Sequence, residues 1–132
     1  LRAPPPPLPS KTMSSDTKSY RELKTLEERI DESSRIRAKY PDRVPVICER
    51  CNKSRSLAAL EKNKFLVPAD LTIGQFQFVV RKRLDITPEK AMFLFCGGKP
   101  AVGSKSMAML YKNNKDKDGF LYITYAGENT YG

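Results

Sequence analysis

The stretch 64–84, KFLVPADLTIGQFQFVVRKRL, constrains the fold of this chain more than any other part. Its first four residues are mostly aromatic or aliphatic and end at Pro68, which predicts a short strand over 64–67. Thr72 and Gln75 have the three-residue spacing of a capping box, so a helix should begin there. The apolar residues of that helix recur at helical spacing and form one face: Ile73, Phe76, Val80 and Leu84. One side of the strand must therefore meet the helix, and the other side could be open to a partner.

Two more helices are predicted before that stretch. Ser19 with Glu22, and Thr25 with Glu28, each have the spacing of a capping box. One helix should therefore end near Thr25, and a second should cover 26–40, where a proline follows. The second helix carries many charged residues, so we expect it to lie on the surface and cover a sheet.

Residues 43–51, RVPVICERC, have the apolar alternation of a strand. Pro45 has no amide donor, so the strand should lie at or near a sheet edge at that point. A polar loop follows, in which a helical turn could form at 57–60. The two strands around this loop, 43–51 and 64–67, are expected to pair as an antiparallel hairpin.

Three further elements follow the central helix. Residues 91–96, AMFLFC, are continuously apolar, as in a strand buried on both faces. Ser104 can cap a short helix that runs to about Lys112. Residues 120–125, FLYITY, predict a last strand.

The predicted order is helix, helix, strand, strand, helix, strand, helix, strand. This order predicts an α+β fold, a ubiquitin-like β-grasp with a four-stranded mixed sheet and two additional N-terminal helices. Residues 19–132 should form one domain. Residues 1–18 contain four consecutive prolines and are expected to be a disordered tail or a foreign remnant, because Met13 is compatible with a native start.

The charge of the chain limits its partners. Lys and Arg number 24 and Asp and Glu 15, which gives a formal net charge of +9. Such a surface suits an acidic peptide, an anionic membrane or nucleic acid, although a solvated basic surface would give the same composition. No apolar run approaches the length of a membrane span or a signal-peptide core, so we expect a cytoplasmic protein with reduced thiols.

The cysteines argue against metal and thiol chemistry. Cys48 and Cys51 have the spacing of half a zinc site, but the chain has only one more cysteine, Cys96, and no histidine. A structural zinc ion normally takes four such ligands, so no metal site is expected. A nucleophilic thiol would also lack the usual histidine base. We therefore predict that the chain is not an enzyme.

Three long segments strongly resemble the autophagy ubiquitin-like modifiers of the GABARAP and light-chain-three family. They are RIRAKYPDRVPVICE (35–49), KFLVPADLTIGQFQFVVRKRL (64–84) and DGFLYITYAGENTYG (118–132). The resemblance extends from about Ser19 to Gly132. It implies the fold predicted above, with no cofactor.

The resemblance also implies a function. A cysteine protease trims such a modifier to a C-terminal glycine, here Gly132. Activating and conjugating enzymes then pass that glycine to phosphatidylethanolamine. The protein, monomeric in solution, would be cytoplasmic before lipidation and on the autophagosome membrane afterwards, where it binds receptor peptides with an aromatic-x-x-aliphatic core. At a chain end taken at random, a glycine more often marks only where the chain was cut, and the resemblance to the family reverses that expectation for Gly132.

The receptor peptide is implied to add a strand beside 64–67 and to fill two pockets. The aromatic pocket of the family corresponds to Glu32, Ile36, Pro45, Ile47, Lys64, Leu66 and Phe120. The aliphatic pocket corresponds to Phe65, Val67, Pro68, Leu71, Phe76, Val79 and Arg83. Without the resemblance, the apolar members would be interpreted as core residues, and Lys64 and Arg83 as solvated surface.

Three regions depart from the family pattern: the loops 51–60 and 96–107, and Gly119, where close animal members carry a bulky residue. An alternative function is a soluble peptide-binding, or microtubule- or nucleic-acid-associating, basic module that is not conjugated. Basic runs such as 81–83 lack the interleaved aromatics of single-strand binders.

Overall fold

A computed structural model describes residues 18–52, 54 and 56–128 of the chain. The predicted tail over 1–17 and the predicted conjugation site at Gly132 lie outside the described residues. Within them, no helix is long and apolar enough to cross a membrane.

Local side-chain hydrogen bonds set the start of each helix. Ser19, Thr25 and Thr72 each accept a hydrogen bond from the third residue of the helix, whose own side chain accepts from the cap amide. The three predicted capping boxes are therefore confirmed. Ser106 caps the last helix by accepting from the amide of Met109. The helices are α1 (Tyr20–Leu23), α2 (Leu26–Lys39), α3 (Ile73–Leu84) and α4 (Met107–Asn114).

Five strands form one mixed sheet. They are β1 (Arg43–Arg50), β2 (Lys64–Pro68), β3 (Phe93–Cys96), β4 (Lys99–Pro100) and β5 (Leu121–Ala126), in the spatial order β2-β1-β5-β3-β4. The predicted hairpin is confirmed, because β1 and β2 pair antiparallel. β1 also pairs parallel with β5. The predicted sheet had four strands, and the fifth is the two-residue β4, which is too short to leave a periodic signal.

The position of Pro45 differs from the simplest expectation. β1 is an interior strand, flanked by β2 and β5, and not an edge strand. The ladder between β1 and β5 begins only at Val46, opposite Leu121. At Pro45, β1 therefore has a neighbouring strand only on the β2 side. Because no strand lies on the other side at this point, the missing amide of Pro45 costs the sheet no hydrogen bond.

Three boundary predictions were wrong. The last helix begins after Ser106 and not after Ser104, and no helical turn forms at 57–60. The strand predicted over 91–96 begins at Phe93, and that side chain is 38% exposed rather than buried. Short apolar segments fix the existence of an element better than its ends.

The sheet carries a different helical layer on each face. Successive residues of a strand point to opposite faces, and β1 shows this clearly. Val46 belongs to the larger core cluster, with Phe76 of α3. The next residue, Ile47, packs on the other face with Tyr20 of α1 and with Phe120. The candidate sites therefore lie where these two layers meet the outermost strand, β2.

Candidate functional site

The outer edge of β2 is the structural centre of the site. β2 is the end strand of the sheet, with β1 on one side. The amide of Cys48 donates to the carbonyl of Asn63 at 2.7 Å, which fixes which residues of this chain segment face β1. The alternation of an antiparallel ladder then directs the backbone groups of Lys64 and Leu66 outward. The guanidinium of Arg43 donates to the outward carbonyl of Leu66 at 3.3 Å.

Four of the residues predicted for the aromatic pocket lie opposite one another on β1 and β2. Lys64 lies opposite Ile47, and Leu66 lies opposite Pro45. Lys64 and Leu66 are half-buried, whereas Pro45 and Ile47 are buried. The two strands thus supply an apolar floor with a charged side chain at one end.

The rest of the predicted aromatic pocket comes from elsewhere in the chain. Phe120, just before β5, is fully buried and clusters with Ile47, and half-buried Ile36 of α2 packs against them. The carboxylate of Glu32, also on α2, accepts a hydrogen bond from the ammonium of Lys64. The structure therefore brings all seven of these residues into one contiguous region.

Tyr20 lies over this region, and sequence reasoning missed it. Its ring packs edge-on against Phe120, with centroids 5.3 Å apart and planes at 75°. Its hydroxyl donates to the carboxylate of Glu32, and the ammonium of Lys64 lies 5.4 Å from its ring centroid. Burial raises the pKa of Tyr20 to about 12, with the nearby Tyr122 adding to the shift. A single aromatic residue in a short charged helix was the only sequence signal for this contact.

Two carboxylates lie at this end of β2, and one of them, Glu32, pairs with Lys64. Glu49 accepts from the amide of Tyr20 at 2.7 Å and from the side chain of Asn63 at 3.0 Å. Partial burial, together with the positive charge of Lys24, lowers the pKa of Lys64. The contact with Glu32 favours the charged ammonium, which opposes that shift. Lys64 is thus a partly desolvated cation that already holds one carboxylate.

The residues predicted for the aliphatic pocket lie between β2 and α3. Phe65 and Phe76 pack edge-on, with ring centroids 5.4 Å apart. The guanidinium of Arg83 lies 5.0 Å from the ring centroid of Phe65, on the outside. Leu71 and Val79 are half-buried and pack against the same core cluster.

Burial divides this second set into a floor and a rim. Phe65, Val67 and Phe76 are at most 5% exposed, so they serve as core residues whatever else they do. Pro68 and Arg83 are exposed at the surface. The floor residues are thus core residues that could also line a pocket. Only the exposed rim residues can move when a ligand binds.

A buried ion pair holds α2, and with it Glu32 and Ile36, against the sheet. The side chain of Asp118 has no exposure, and its Oδ2 accepts from Arg29 at 2.7 Å and from the Tyr122 hydroxyl at 2.5 Å. Its Oδ1 accepts from the amide of Phe120 at 2.8 Å. Sequence reasoning missed Arg29 and Asp118, because 89 residues separate them and each resembles its charged neighbours.

All three cysteines are buried, and the thiols of Cys48 and Cys96 are poor nucleophiles. Burial raises the pKa values of both the Cys48 and the Cys96 thiols, which disfavours the nucleophilic thiolate. Among the residues that the structure describes, no three metal-ligating side chains lie together.

A β-grasp sheet with α3 packed across one face, preceded by the two N-terminal helices α1 and α2, defines a ubiquitin-like fold. The comparisons give the family. A family model described as autophagy protein Atg8, ubiquitin like, matches residues 28–132. The chain belongs to the Atg8 family of ubiquitin-like autophagy proteins.

Individual relatives agree over most of their length. The chain is 54% identical to autophagy-related protein 8 of Schizosaccharomyces pombe, over 82% of this chain and 88% of that protein. It is 51% identical to autophagy-related protein 8 of Emericella nidulans, over 86% of this chain and 95% of that protein. The crystal structure of Trypanosoma brucei ATG8 aligns with a TM-score of 0.80 and 40% identity, over 89% of this chain and all of that one.

These findings confirm the family that the three sequence segments indicated, and the ubiquitin-like fold. They also confirm that the chain is a ubiquitin-like protein of autophagy rather than an enzyme. The pocket residues and Gly132 stay predictions.

Proposed function

We propose that this protein is a modifier that is conjugated through Gly132 to phosphatidylethanolamine on autophagic membranes, and that it docks receptor peptides there. The proposed peptides have an aromatic-x-x-aliphatic core. A processing cysteine protease and activating and conjugating enzymes would be its other partners. The unconjugated form would be cytoplasmic and the conjugated form would lie on the autophagosome membrane.

The observation that carries the peptide-binding proposal is the outer edge of β2, which pairs with no strand among the described residues and lies between two apolar regions. A peptide strand can add to such an edge through its backbone, while pockets on either side select its side chains. The outward groups of Lys64 and Leu66 supply the backbone donors and acceptors. Arg43 now occupies the Leu66 carbonyl from the side, so an incoming strand would displace it.

The two pockets differ in what a peptide would have to move. An aromatic side chain can enter over Leu66 and Ile36, which are half-buried, toward the fully buried Ile47 and Phe120. An acidic residue before the aromatic one would compete with Glu32 for the ammonium of Lys64. The aliphatic side chain meets a rim that includes Leu71, Val79 and Arg83.

A titration of one aromatic-x-x-aliphatic peptide with an acidic flank tests the pocket assignment. Leu66→Ala should weaken binding by about thirtyfold, because the loss of an apolar anchor contact costs about 2 kcal/mol. Lys64→Ala should cost less than about 1 kcal/mol, since that ammonium is partly solvated and already paired. Only the Lys64 effect should shrink as salt is added.

Matched controls separate these effects from general ones. Leu23→Ala removes an exposed leucine from α1, and Lys112→Ala removes an exposed lysine from α4, so both should leave affinity unchanged. Amide shifts on peptide addition should cluster on β2 and α3. Equal losses for Leu66→Ala and Lys64→Ala, or shifts centred on β3 and β4, would refute the assignment.

The conjugation proposal rests on the family and on the sequence at the C-terminus. In Tyr131-Gly132 a glycine follows an aromatic residue, the pair that the resemblance to the family implies at the conjugation site. Glycine has no Cβ, so its carbonyl is open to attack by an amine with little hindrance.

Lipidation with purified components tests this proposal. With cognate activating and conjugating enzymes, ATP and phosphatidylethanolamine vesicles, the protein should gain one lipid and move to the membrane. Gly132→Ala should block the step and leave peptide affinity unchanged. Gly74→Ala is the matched control, because a Cβ there meets its nearest neighbour at an ordinary 3.6 Å. Lipid attached to the Gly132→Ala protein would show that the conjugation site is elsewhere, and an absence of lipid on the unaltered protein would favour a soluble peptide-binding module.

A further inference from the structure

The loop after β1 holds the chain segment that follows β5. Ser54 Oγ and Ser56 Oγ both lie within hydrogen-bond distance of the same Glu128 carboxylate oxygen, at 2.9 and 3.0 Å. The amide of Gly127 donates to Ser54 Oγ at 3.2 Å. We call these four residues, Ser54, Ser56, Gly127 and Glu128, the tail latch. It closes on the last described residues before the C-terminus.

Close packing shows that the tail latch is a built contact. A Cβ on Gly127 would overlap Ser56 Oγ and would lie 3.1 Å from the Ser56 Cβ and 3.2 Å from Leu57. A larger residue at 127 would therefore displace the Ser56 hydroxyl from its place in the latch. Ser54 is fully buried beneath it.

Hydrogen bonds on both sides anchor the loop to the sheet. The amide of Cys51 donates to the carbonyl of Tyr125 at 2.8 Å, and the Tyr125 hydroxyl donates to the carbonyl of Ala58 at 2.6 Å. Arg50 donates to the carbonyl of Leu57 at 2.8 Å. The loop is thereby fixed to the end of β5 before it reaches Glu128.

We propose that Ser54, Ser56 and Glu128 are positioning residues that limit how far the C-terminal glycine can reach into its enzymes. This inference rests on the proposed conjugation at Gly132. Gly132 is four residues beyond Glu128, and an extended chain spans at most about 3.5 Å per residue, so the closed latch allows Gly132 a reach of about 14 Å. With the latch open the chain is free from Ala126, the last residue of β5, and the same arithmetic gives about 21 Å.

The closed latch therefore acts as a restraint that an enzyme must work against. An enzyme cleft that is narrow enough for the tail is too narrow for the folded domain. With the latch closed, fewer residues can enter such a cleft, so Gly132 reaches less deeply into it. Opening the latch should lower the KM of the activating enzyme for this protein, while kcat, which reflects the seated glycine, stays the same.

The latch can be opened and preserved by single substitutions. Glu128→Ala removes the shared acceptor, whereas Glu128→Gln keeps an acceptor oxygen and removes only the charge. Ser56→Asp places a second carboxylate against Glu128 and should repel it. Glu61→Ala, at an exposed carboxylate before β2, controls for the loss of a negative charge.

Two readouts keep the latch separate from the conjugation proposal. The first is hydrogen exchange of the Gly127 amide, which donates to Ser54 Oγ, the hydroxyl that Glu128 holds in place. Exchange should speed up about tenfold in Glu128→Ala and Ser56→Asp, where Ser54 Oγ is no longer held, and stay near wild type in Glu128→Gln and Glu61→Ala. The second is thioester formation with the activating enzyme, for which the two opening variants should show about a threefold lower KM at equal kcat.

Each result has a defined meaning. Exchange that does not change in Glu128→Ala would refute the latch itself. Faster exchange with an unchanged or higher KM would refute its role in positioning, and leave the conjugation proposal standing. If the unaltered protein forms no thioester, conjugation fails and the positioning role fails with it, while the exchange data still show whether the latch exists.

Discussion

Asp118→Ala should lower the free energy of unfolding by about 3 to 5 kcal/mol, the usual cost of removing one partner from a buried ion pair. Asp118 has no exposed side-chain surface, and the side chain of Arg29 is only 12% exposed. The substitution leaves that guanidinium, the Tyr122 hydroxyl and the Phe120 amide without the carboxylate that accepts from them. The small exposure of Arg29 lets water reach it, so we expect a value near the lower limit.

Urea unfolding at neutral pH, followed by circular dichroism, measures this loss. A double-mutant cycle separates the ion pair from the general effect of the substitutions. Arg29→Met combined with Asp118→Ala should be more stable than Asp118→Ala alone, because no uncompensated charge is then buried. Peptide affinity should also fall in Asp118→Ala, since α2 carries Glu32 and Ile36.

Two results would refute this reasoning. A loss below about 1 kcal/mol would mean that the pair is solvated in solution and does not hold α2. Additive effects of the two substitutions in the cycle would mean that Arg29 and Asp118 do not interact.

The remaining predictions concern pH and close packing. Burial raises the pKa of Tyr125 to about 12, above the ordinary value of 10.0, so its contribution to stability is complete below pH 10 and is lost as pH rises toward 12. Unfolding midpoints in urea should therefore fall over that range, and less steeply for Tyr125→Phe; parallel slopes would contradict this. Gly119→Ala should cost about 2 kcal/mol or more in urea unfolding, because the new Cβ would overlap Ser33 Oγ and φ there is 93°. Ser33→Gly should recover part of that loss by making room, and a double variant no more stable than Gly119→Ala would contradict the clash.

Local features of the fold could be predicted because their causes lie close together in sequence. The capping boxes at Ser19, Thr25 and Thr72 join residues three positions apart, so the residue types alone fix them. The β1–β2 hairpin follows from two alternating segments with a polar loop between them. The family, and through it the region around β2, was visible because the matching segments are long and continuous.

Element ends were predicted less well, for a physical reason. Ser104 and Ser106 are equally good caps by type, and only the packing of α4 selects Ser106. β4 has only two residues. It is a strand because it pairs with β3, and two residues are too few for a pattern in the sequence.

Contacts between distant parts of the chain were decided by the tertiary structure alone. In the sequence these residues lie in four separate segments, whereas folding pairs Arg29 with Asp118, 89 residues away, and Ser54 with Glu128, 74 residues away. Tyr20 covers the aromatic region because α1 packs against Phe120. The sequence of this four-residue helix contains no pattern that predicts the contact. The sequence by itself determined the four helices, the four longer strands and the family to which the chain belongs. The order of the strands, the interior place of Pro45 and the partners of each buried charge depend on packing at long range, where a residue's type does not specify its neighbour.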